Sequence, residues 1–262
     1  MTVKLSPHFQ LLPKWASKVN FPGDWVKVMD PGAGIAARFP GKRIVGRWYV
    51  ADEGQYIRRG AAGAEDYFRL LWPKYDETRH DVTVIEAVNE PACQETEQVA
   101  ALAEFLLRWI ELMHEAGFTV AVPAFSVGNP PIEVIGALER VWIATDYADL
   151  HEYGTRAMWE EWRGYTSLRH RMIYDHMVTL GIPERPLFIT ETGIDRGGDG
   201  YRHKPNNTPW PEYLDQLCWY ERRLQEDPYV EAAFLFTSGA TQTWRSFDVG
   251  EGEWRDLAER LG

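Results

Sequence analysis

The sequence predicts an α/β fold, a single closed (β/α)8 TIM barrel that occupies residues 1–262 as one domain. Short runs rich in β-branched residues alternate with longer amphipathic stretches along the whole chain, and eight such runs occur. The length of 262 residues is close to the roughly 250 residues that eight strand–helix units require. No linker, low-complexity tract or change of composition divides the chain, so we expect one domain.

The elements follow one another in a regular order. The eight predicted strands end in residues 8–10, 25–30, 43–50, 82–90, 119–125, 147–153, 187–191 and 231–238. The clearest helical patterns cover residues 97–117, 160–181 and 211–227, where apolar residues recur every three or four positions. Gly117 and Gly181 end two of these helices and Pro211 opens the third, as helix ends prefer. Catalytic residues of such a barrel lie at the carboxyl ends of its strands.

Charge and hydropathy exclude several classes of partner. The chain has 28 Lys and Arg against 39 Asp and Glu, a formal charge of −11, which disfavours nucleic acid as a ligand. No apolar run approaches the roughly 20 residues of a membrane helix, so no membrane partner is expected. The first residues contain no signal-peptide pattern, so we expect a cytoplasmic protein or a secreted one written without its signal. We expect a monomer.

The sequence predicts no metal site and no cofactor. Cys93 and Cys218 are the two cysteines, too few for a disulfide framework and without the CxxC spacing of a zinc site. His170 and His176 are six positions apart on a predicted helix and do not share a face, so we expect both at the surface.

Two acidic residues stand where the barrel predicts chemistry. The fourth strand closes on Asn89, Glu90 and Pro91, and the seventh closes on Glu191. Three steps around the ring place the two glutamates across the barrel mouth. Two carboxyl groups directed at one site indicate glycoside hydrolysis, in which one protonates the leaving oxygen and the other attacks or activates water. The structural alternative is that Asn-Glu-Pro is a helix-start turn and Glu191 a solvated strand-end carboxylate.

These positions resemble the pattern of clan A retaining glycoside hydrolases, which include cellulase-like, mannanase-like and xylosidase-like enzymes. The resemblance covers the whole chain as architecture and a handful of positions in detail. It implies Glu90 as general acid/base, Glu191 as nucleophile and Asn89 as donor to the sugar 2-hydroxyl. It further implies Trp244 as the platform under the sugar and His151 or Tyr153 as a hydrogen-bond partner for substrate or nucleophile. The arginine that many members carry near the end of the second strand has no counterpart there, where Lys27 and Asp30 stand.

The proposed roles make demands on the surroundings of each carboxyl group. A nucleophile must be ionised, so Glu191 should be surrounded by hydrogen-bond donors, whereas an acid must hold its proton, so Glu90 should be buried beside a charge. Retention of configuration predicts carboxyl groups about 5 to 5.5 Å apart, and inversion roughly 6.5 to 9.5 Å. We expect endo action on a β-linked polysaccharide or oligosaccharide.

Aromatic and charged residues add further candidates. Sugars stack on indole rings, so tryptophans in loops at the mouth are candidate substrate contacts, although such residues also pack loops onto a barrel. Charged residues within strands are expected to form a salt-bridged layer inside the barrel. His8 and Gln10 share one face of the first strand and could reach the sugar. The loop tryptophans are Trp48, Trp159, Trp210 and Trp244, and the strand charges are Lys27, Arg47 and Glu86.

Three alternatives remain open from the sequence. Gly32, Gly34 and Ala37 fit a dinucleotide fingerprint, with Asp52 twenty positions after Gly32, which would suit an NAD(P)-dependent oxidoreductase. Pro31 interrupts that junction, which argues against it. A glycine-rich loop at residues 197–200 could bind phosphate in a metabolic barrel enzyme. A barrel that binds glycans without cleaving them is the third.

Overall fold

The predicted fold class is confirmed by the computed structural model, which describes residues 2–159 and 166–262. Eight parallel strands pair in sequence order, and the first pairs with the last, so the sheet is a closed barrel. The strands are β1 (Leu5–Phe9), β2 (Trp25–Met29), β3 (Arg43–Arg47), β4 (Val84–Glu86), β5 (Val120–Phe125), β6 (Tyr147–Gly154), β7 (Leu187–Ile194) and β8 (Val230–Ser238).

Helices return the chain between most strands. They are α1 (Gly54–Ile57), α2 (Gly60–Glu77), α3 (Thr96–Glu115), α4 (Glu139–Ala144), α5 (Arg169–Thr179), α6 (Trp210–Leu224) and α7 (Glu251–Leu261). After β1 and β2, in connections that are described throughout, short 3-10 turns at Ala16–Lys18 and Ile35–Arg38 replace the expected helices. The N-terminal part of the helix predicted at 160–181, residues 160–165, lies outside the described residues.

Strand alternation divides the side chains between the barrel interior and the surrounding helices. One apolar cluster fills the bottom of the barrel, formed by seven residues that face inward from six strands: Trp25, Val45, Val84, Ala121, Phe188, Ala232 and Phe234. Their outward neighbours, such as Leu150 and Ile189, belong to a larger cluster between strands and helices. Trp109 and Trp142 lie fully buried in that outer cluster.

Charged side chains form the next level of the interior, above the apolar bottom. Lys27 of β2 lies 2.7 Å from Glu86 of β4, and both side chains are fully buried. Arg47 of β3 pairs with Glu53 at 3.4 Å. Asp149 of β6 accepts a hydrogen bond from Thr190 of β7 at 2.5 Å. The predicted salt-bridged layer is therefore present, and its upper edge reaches the barrel mouth.

The closed barrel contradicts the dinucleotide fingerprint on which the oxidoreductase alternative rests, because that fingerprint belongs to an open doubly wound sheet. The glycine turn after β2 leads into a 3-10 segment of four residues, too short to present a helix N-terminus to a pyrophosphate. Both cysteines are buried and free. No helix of the described ranges is long and apolar enough to span a bilayer.

Candidate active site

A cleft of about 290 Å³ lies at the carboxyl ends of the strands and contains both predicted catalytic glutamates. Residues from β1, β2, β3, β6, β7 and β8 and from the loops after β1, β3, β4, β7 and β8 line it. The lining residues include His8, Gln10, Met29, Arg47, Tyr49, Asn89, Glu90, Tyr153, Glu191, Asp195, Gly198, Phe236, Trp244 and Phe247. The position agrees with where barrels of this kind place their chemistry.

A local irregularity in β7 directs Glu191 into the cleft. Phe188 and Thr190 face the barrel interior, so strict alternation would turn Glu191 outward toward the helices. The register between β6 and β7 shifts at this point, from Leu150 opposite Ile189 to His151 opposite Glu191. The extra residue in β7 lets both Thr190 and Glu191 point inward, a common use of bulges next to functional sites.

Glu191 is an ionised carboxylate in a buried site. Tyr153 donates a hydrogen bond to Oε2 at 2.8 Å, and Lys27 Nζ lies 3.8 Å from Oε1. His151 Nδ1 lies 3.6 Å from Oε2 and His8 Nε2 3.9 Å from Oε1. Burial alone would raise the pKa of Glu191, but the positive charges of His151 and Lys27 and the Tyr153 hydrogen bond outweigh burial and lower the pKa to about 2. The hydrogen-bond donors expected around the Glu191 carboxylate are therefore present.

Glu90 lies in a different environment on the opposite side of the mouth. Its side chain is 39% exposed and accepts a hydrogen bond from His151 Nδ1 at 2.9 Å. The burial expected for an acid is therefore absent on this side chain, which opens to the cleft. The backbone of Glu90 has a φ of 46°, a left-handed conformation rarely adopted by a non-glycine residue.

Two buried histidines beside the cleft glutamates differ in charge preference. Burial and the charge of Lys27 hold the pKa of His8 well below its ordinary value, so His8 is neutral, and its Nδ1 lies 2.8 Å from Thr237 Oγ1. Burial also opposes the charged form of His151, but Glu191 and the hydrogen bond with Glu90 outweigh it and raise the pKa of His151. His151 thereby links the two carboxyl groups.

Two tryptophans that were predicted to contact substrate, Trp48 and Trp210, are not among the cleft residues. Trp48 is only 3% exposed, packs edge-on against Tyr75 of α2 and donates a hydrogen bond to the carbonyl of Pro31. It follows β3 on the outward face, one position after the inward Arg47. Trp210 begins α6 and donates to Asp256, outside the cleft. Trp159 is exposed at 45% and is not among the cleft residues.

The prediction for His170 is also wrong. Its ring is fully buried, with Nδ1 2.8 Å from Glu152 Oε1 and Nε2 2.9 Å from Asp227 Oδ2. Spacing along the helix gave no sign of these partners, because they come from β6 and from the turn before β8.

Several cleft residues were not predicted as site residues. Arg47 appeared only as a member of the charged layer, yet it lines the cleft. Phe236 was within reach of sequence reasoning, because it shares the inward face of β8 with Ala232 and Phe234 and stands near the strand end. Tyr49 lies two positions after β3 and Asp195 directly after β7, at strand ends that the barrel rule favours. Sequence reasoning gave tryptophan priority and passed over them.

The glycine loop after β7 uses its amides within the protein. Gly198 N donates to Asp195 Oδ1 at 2.6 Å, and Gly200 N donates to Ser246 Oγ at 2.9 Å. Amides occupied in this way are not arranged to receive a phosphate, which removes the support for a phosphate-binding barrel. The loop instead places Asp195 and Gly198 at the wall of the cleft.

The site contains potential ligand atoms and unpaired polar atoms. In the described part of the chain, Glu90, His151 and Glu191 each offer one atom suited to a metal ion, and these atoms lie within 4.8 Å of one another. The expected absence of a metal stays a prediction. Within the described residues, His8 Nε2, Arg47 Nε and Asn89 Oδ1 are buried without a hydrogen-bond partner. Buried unpaired atoms beside a cleft are places where a polar ligand can bind.

Comparison with known proteins gives structural neighbours. No protein-family model matches this sequence, and no curated protein matches it. A GH128 subgroup I endo-β-1,3-glucanase from Amycolatopsis mediterranei superposes with a TM-score of 0.60 at 15% identity, covering 100% of both chains. A GH128 subgroup VI exo-β-1,3-glucanase from Aureobasidium namibiae gives 0.61 at 16% identity, covering 100% of this chain and 96% of that one.

A glycoside hydrolase family 5 enzyme from Prevotella bryantii superposes with a TM-score of 0.60 at 11% identity, covering 99% of this chain and 96% of that one. These likenesses extend over nearly the whole length of each partner. They show that this chain has the (β/α)8 barrel fold found in these glycoside hydrolases.

Proposed function

We propose that this protein is a retaining glycoside hydrolase that cleaves β-linked glucan by double displacement, with Glu191 as nucleophile and Glu90 as general acid/base. The observation that carries the proposal is the pair of carboxyl groups, which bring oxygens within 4.8 Å of each other across one cleft. This separation supports retention, since inversion needs roughly 6.5 to 9.5 Å to accommodate a water molecule.

The first chemical step uses the difference between the two environments. Glu191 is ionised, so one of its oxygens forms a bond to the anomeric carbon of the bound sugar. The bond between that carbon and the glycosidic oxygen breaks, and its electron pair goes to the departing oxygen, which takes a proton from Glu90. His151 holds Oε1 of Glu90 at 2.9 Å, which leaves Oε2 to face the glycosidic oxygen.

The second step returns both carboxyl groups to their starting states. Glu90, now ionised, removes a proton from a water molecule as the water oxygen forms its bond to the anomeric carbon. The ester bond to Glu191 breaks, and its electron pair restores the carboxylate. The hydrogen bond from Tyr153 at 2.8 Å stabilises the charge that reappears on Oε2.

The walls of the cleft support a carbohydrate ligand. Phe236, Trp244 and Phe247 form an aromatic cluster with ring centroids 5.3 to 5.7 Å apart, which offers flat apolar faces to sugar C–H groups. Tyr49 adds an aromatic ring that is 69% exposed. Asn89 Oδ1 and Arg47 Nε, which have no hydrogen-bond partner within the described residues, can form hydrogen bonds with sugar hydroxyl groups.

Two of the structural neighbours are β-1,3-glucanases, one endo-acting and one exo-acting, and these suggest β-1,3-glucan as the first substrate class. The aromatic rings of Tyr49 and Trp244 in the cleft support contacts with more than one sugar. We therefore propose endo action on a β-1,3-linked glucan.

The proposal is tested by incubating the protein with laminarin, β-1,4-glucan, mannan and xylan and measuring new reducing ends. Release from laminarin as a ladder of oligosaccharides is expected, and proton NMR should show the β-anomer first. The control variant is Glu65→Gln, which changes a surface acid and should match the wild-type rate. Glu152→Gln is not a suitable control, because Glu152 is a buried structural acid. No release from any glycan would refute the proposal.

A further inference from the structure

Glu53 is a buried acid behind the cleft that contacts two residues of the cleft wall. It stands at the start of α1, in the connection after β3, and is 9% exposed. Its Oε2 accepts a hydrogen bond from the backbone N–H of Asn89 at 2.7 Å. Its Oε1 accepts hydrogen bonds from the Tyr67 hydroxyl at 3.0 Å and from Arg47 Nη2 at 3.4 Å. Both carboxylate oxygens are therefore engaged.

The segment that Glu53 holds is the one that carries Glu90. The φ of 46° at Glu90 is a strained conformation for a non-glycine residue, and such a conformation persists only where surrounding contacts impose it. Two hydrogen bonds anchor the backbone here. Glu90 N donates to the carbonyl of Ala124 at 3.0 Å, and Asn89 N donates to Glu53. The first of these hydrogen bonds has a backbone acceptor, and the second has a side-chain acceptor, the carboxylate of Glu53.

We infer that Glu53 is a positioning residue for general acid/base catalysis: through the Asn89 amide it fixes the turn that presents the Glu90 carboxyl group to the glycosidic oxygen. The inference rests on the proposed function. Glu53 itself does not line the cleft and touches no substrate.

Only a carboxylate suits this position. The oxygen toward Asn89 and the oxygen toward Arg47 and Tyr67 must both accept hydrogen bonds, and a carboxylate accepts at both ends. The side-chain amide introduced by Glu53→Gln would accept at one end and present N–H groups at the other. Either the Asn89 amide or the Arg47 guanidinium would then face a donor. Because acid/base catalysis depends on close geometry, a small displacement of Glu90 should slow the steps that move a proton.

The experiment compares two substrates in three variants. Glu53→Gln is the main variant. Glu53→Asp keeps the charge but shortens the reach to Asn89, so it serves if the first variant does not fold. Glu65→Gln is the matched control, because Glu65 is a half-exposed acid of α2 that pairs with Arg69 and Arg108. Laminaritetraose has a poor leaving group that needs a proton, whereas dinitrophenyl β-laminaribioside releases a good leaving group without one.

For Glu53→Gln, we expect kcat/KM on laminaritetraose to fall by about 100-fold, since small misplacement of a catalytic group has effects of this order. On the dinitrophenyl substrate, kcat/KM should change by less than about threefold, because its first step does not use the acid. The kcat for that substrate should fall, since the second step needs the base, and added azide should restore it. Glu65→Gln should behave as wild type on both substrates.

Equal losses on both substrates in the Glu53 variants would overturn the inference, because they would indicate a general effect on the cleft or on Arg47. Unchanged rates on both would overturn it as well. A wild-type protein that hydrolyses neither substrate would refute the proposed function itself and the inference with it, so the two failures are distinguishable.

Discussion

At the scale of single residues, two glutamic acids have identical side chains in different surroundings. Glu191 is buried among donors and has a pKa lowered to about 2, whereas Glu90 is 39% exposed and has His151 as its partner. The difference comes from position, since Glu191 lies within a strand and Glu90 in the turn after one. Environment of this kind separates a nucleophile from an acid.

Removal of the Glu191 side chain should convert the enzyme into one that depends on an external anion. Glu191→Ala should lose turnover by orders of magnitude, and azide should restore it by occupying the vacated space and attacking from the same face. The product should be the glycosyl azide of inverted configuration, which NMR identifies. Glu90→Ala should instead yield the retained azide. The reverse pair of products would exchange the two roles.

Loss of the Tyr153 hydroxyl should change the pH dependence of catalysis. Its hydrogen bond favours the ionised form of Glu191, so Tyr153→Phe should raise the pKa of Glu191 from about 2 toward its ordinary value. The acidic limb of the kcat/KM profile should move upward, and kcat should fall roughly 10- to 100-fold. Tyr147→Phe, on the same strand at the barrel bottom, is the matched control. An unmoved acidic limb would contradict this role of Tyr153.

At the scale of elements, alternate side chains of β6 point toward the cleft and toward the surrounding helices. His151 and Tyr153 face the cleft carboxyl groups, while Glu152 between them faces the helices. There Glu152 accepts hydrogen bonds from His170 at 2.8 Å and from the Tyr220 hydroxyl at 2.6 Å. The network ties β6 to α5 and α6, so the strand that bears His151 and Tyr153 is held from behind.

The buried His170 predicts a pH-dependent contribution to stability. Burial opposes its charged form, but Glu152 and Asp227 outweigh burial and raise the pKa of His170 to about 9. A group whose pKa is higher in the folded protein than in the unfolded protein stabilises the fold fully at pH values below the unfolded pKa, near 6.5. It loses that stabilising effect as the pH rises through the folded pKa, about 9. The full contribution is about 3 kcal/mol.

His170→Gln should therefore lower the free energy of unfolding most below pH 6.5, and the difference from wild type should shrink as the pH rises through about 9. Urea denaturation at a series of pH values measures it. His176→Gln, on the same helix but outside the network, is the control. A difference that does not change with pH would show that His170 is not charged in the folded protein.

At the scale of the whole molecule, the barrel stacks an apolar level, a charged level and an open cleft along one axis. Phe188 packs against Trp25 with ring centroids 4.8 Å apart, against Tyr147 at 4.4 Å and against Phe234 at 5.8 Å. Above them the Lys27–Glu86 pair connects two strands across the interior. The apolar bottom thus supports the charged level that holds Glu191.

Phe188→Ala should leave a cavity in the barrel interior and lower the free energy of unfolding by about 3 to 5 kcal/mol. Leu70→Ala, at a side chain that is half exposed on α2, should cost far less. Chemical denaturation of both variants measures the difference. A cost similar to that of Leu70→Ala would mean that the interior is not closely packed around Phe188.

The amino-acid pattern along the chain was sufficient to predict the eight-strand barrel and the two glutamates at its mouth. Strand periodicity and strand-end position are local properties, so they also brought His8, Gln10, Asn89, His151, Tyr153 and Trp244 to the same end of the barrel. The same reasoning placed Trp48 and Trp210 in the cleft wrongly, because closeness to a strand end does not fix the face on which a side chain points.

The contacts that hold the site in place depend on residues that come together only in the folded barrel. The bulge in β7 that turns Glu191 inward breaks the alternation that sequence reasoning relies on. Glu53 meets Asn89 across 36 positions, and His170 meets Asp227 across 57. Such pairs form because a buried charge needs a partner wherever the closed sheet brings one near, and no local pattern in the chain encodes that distance.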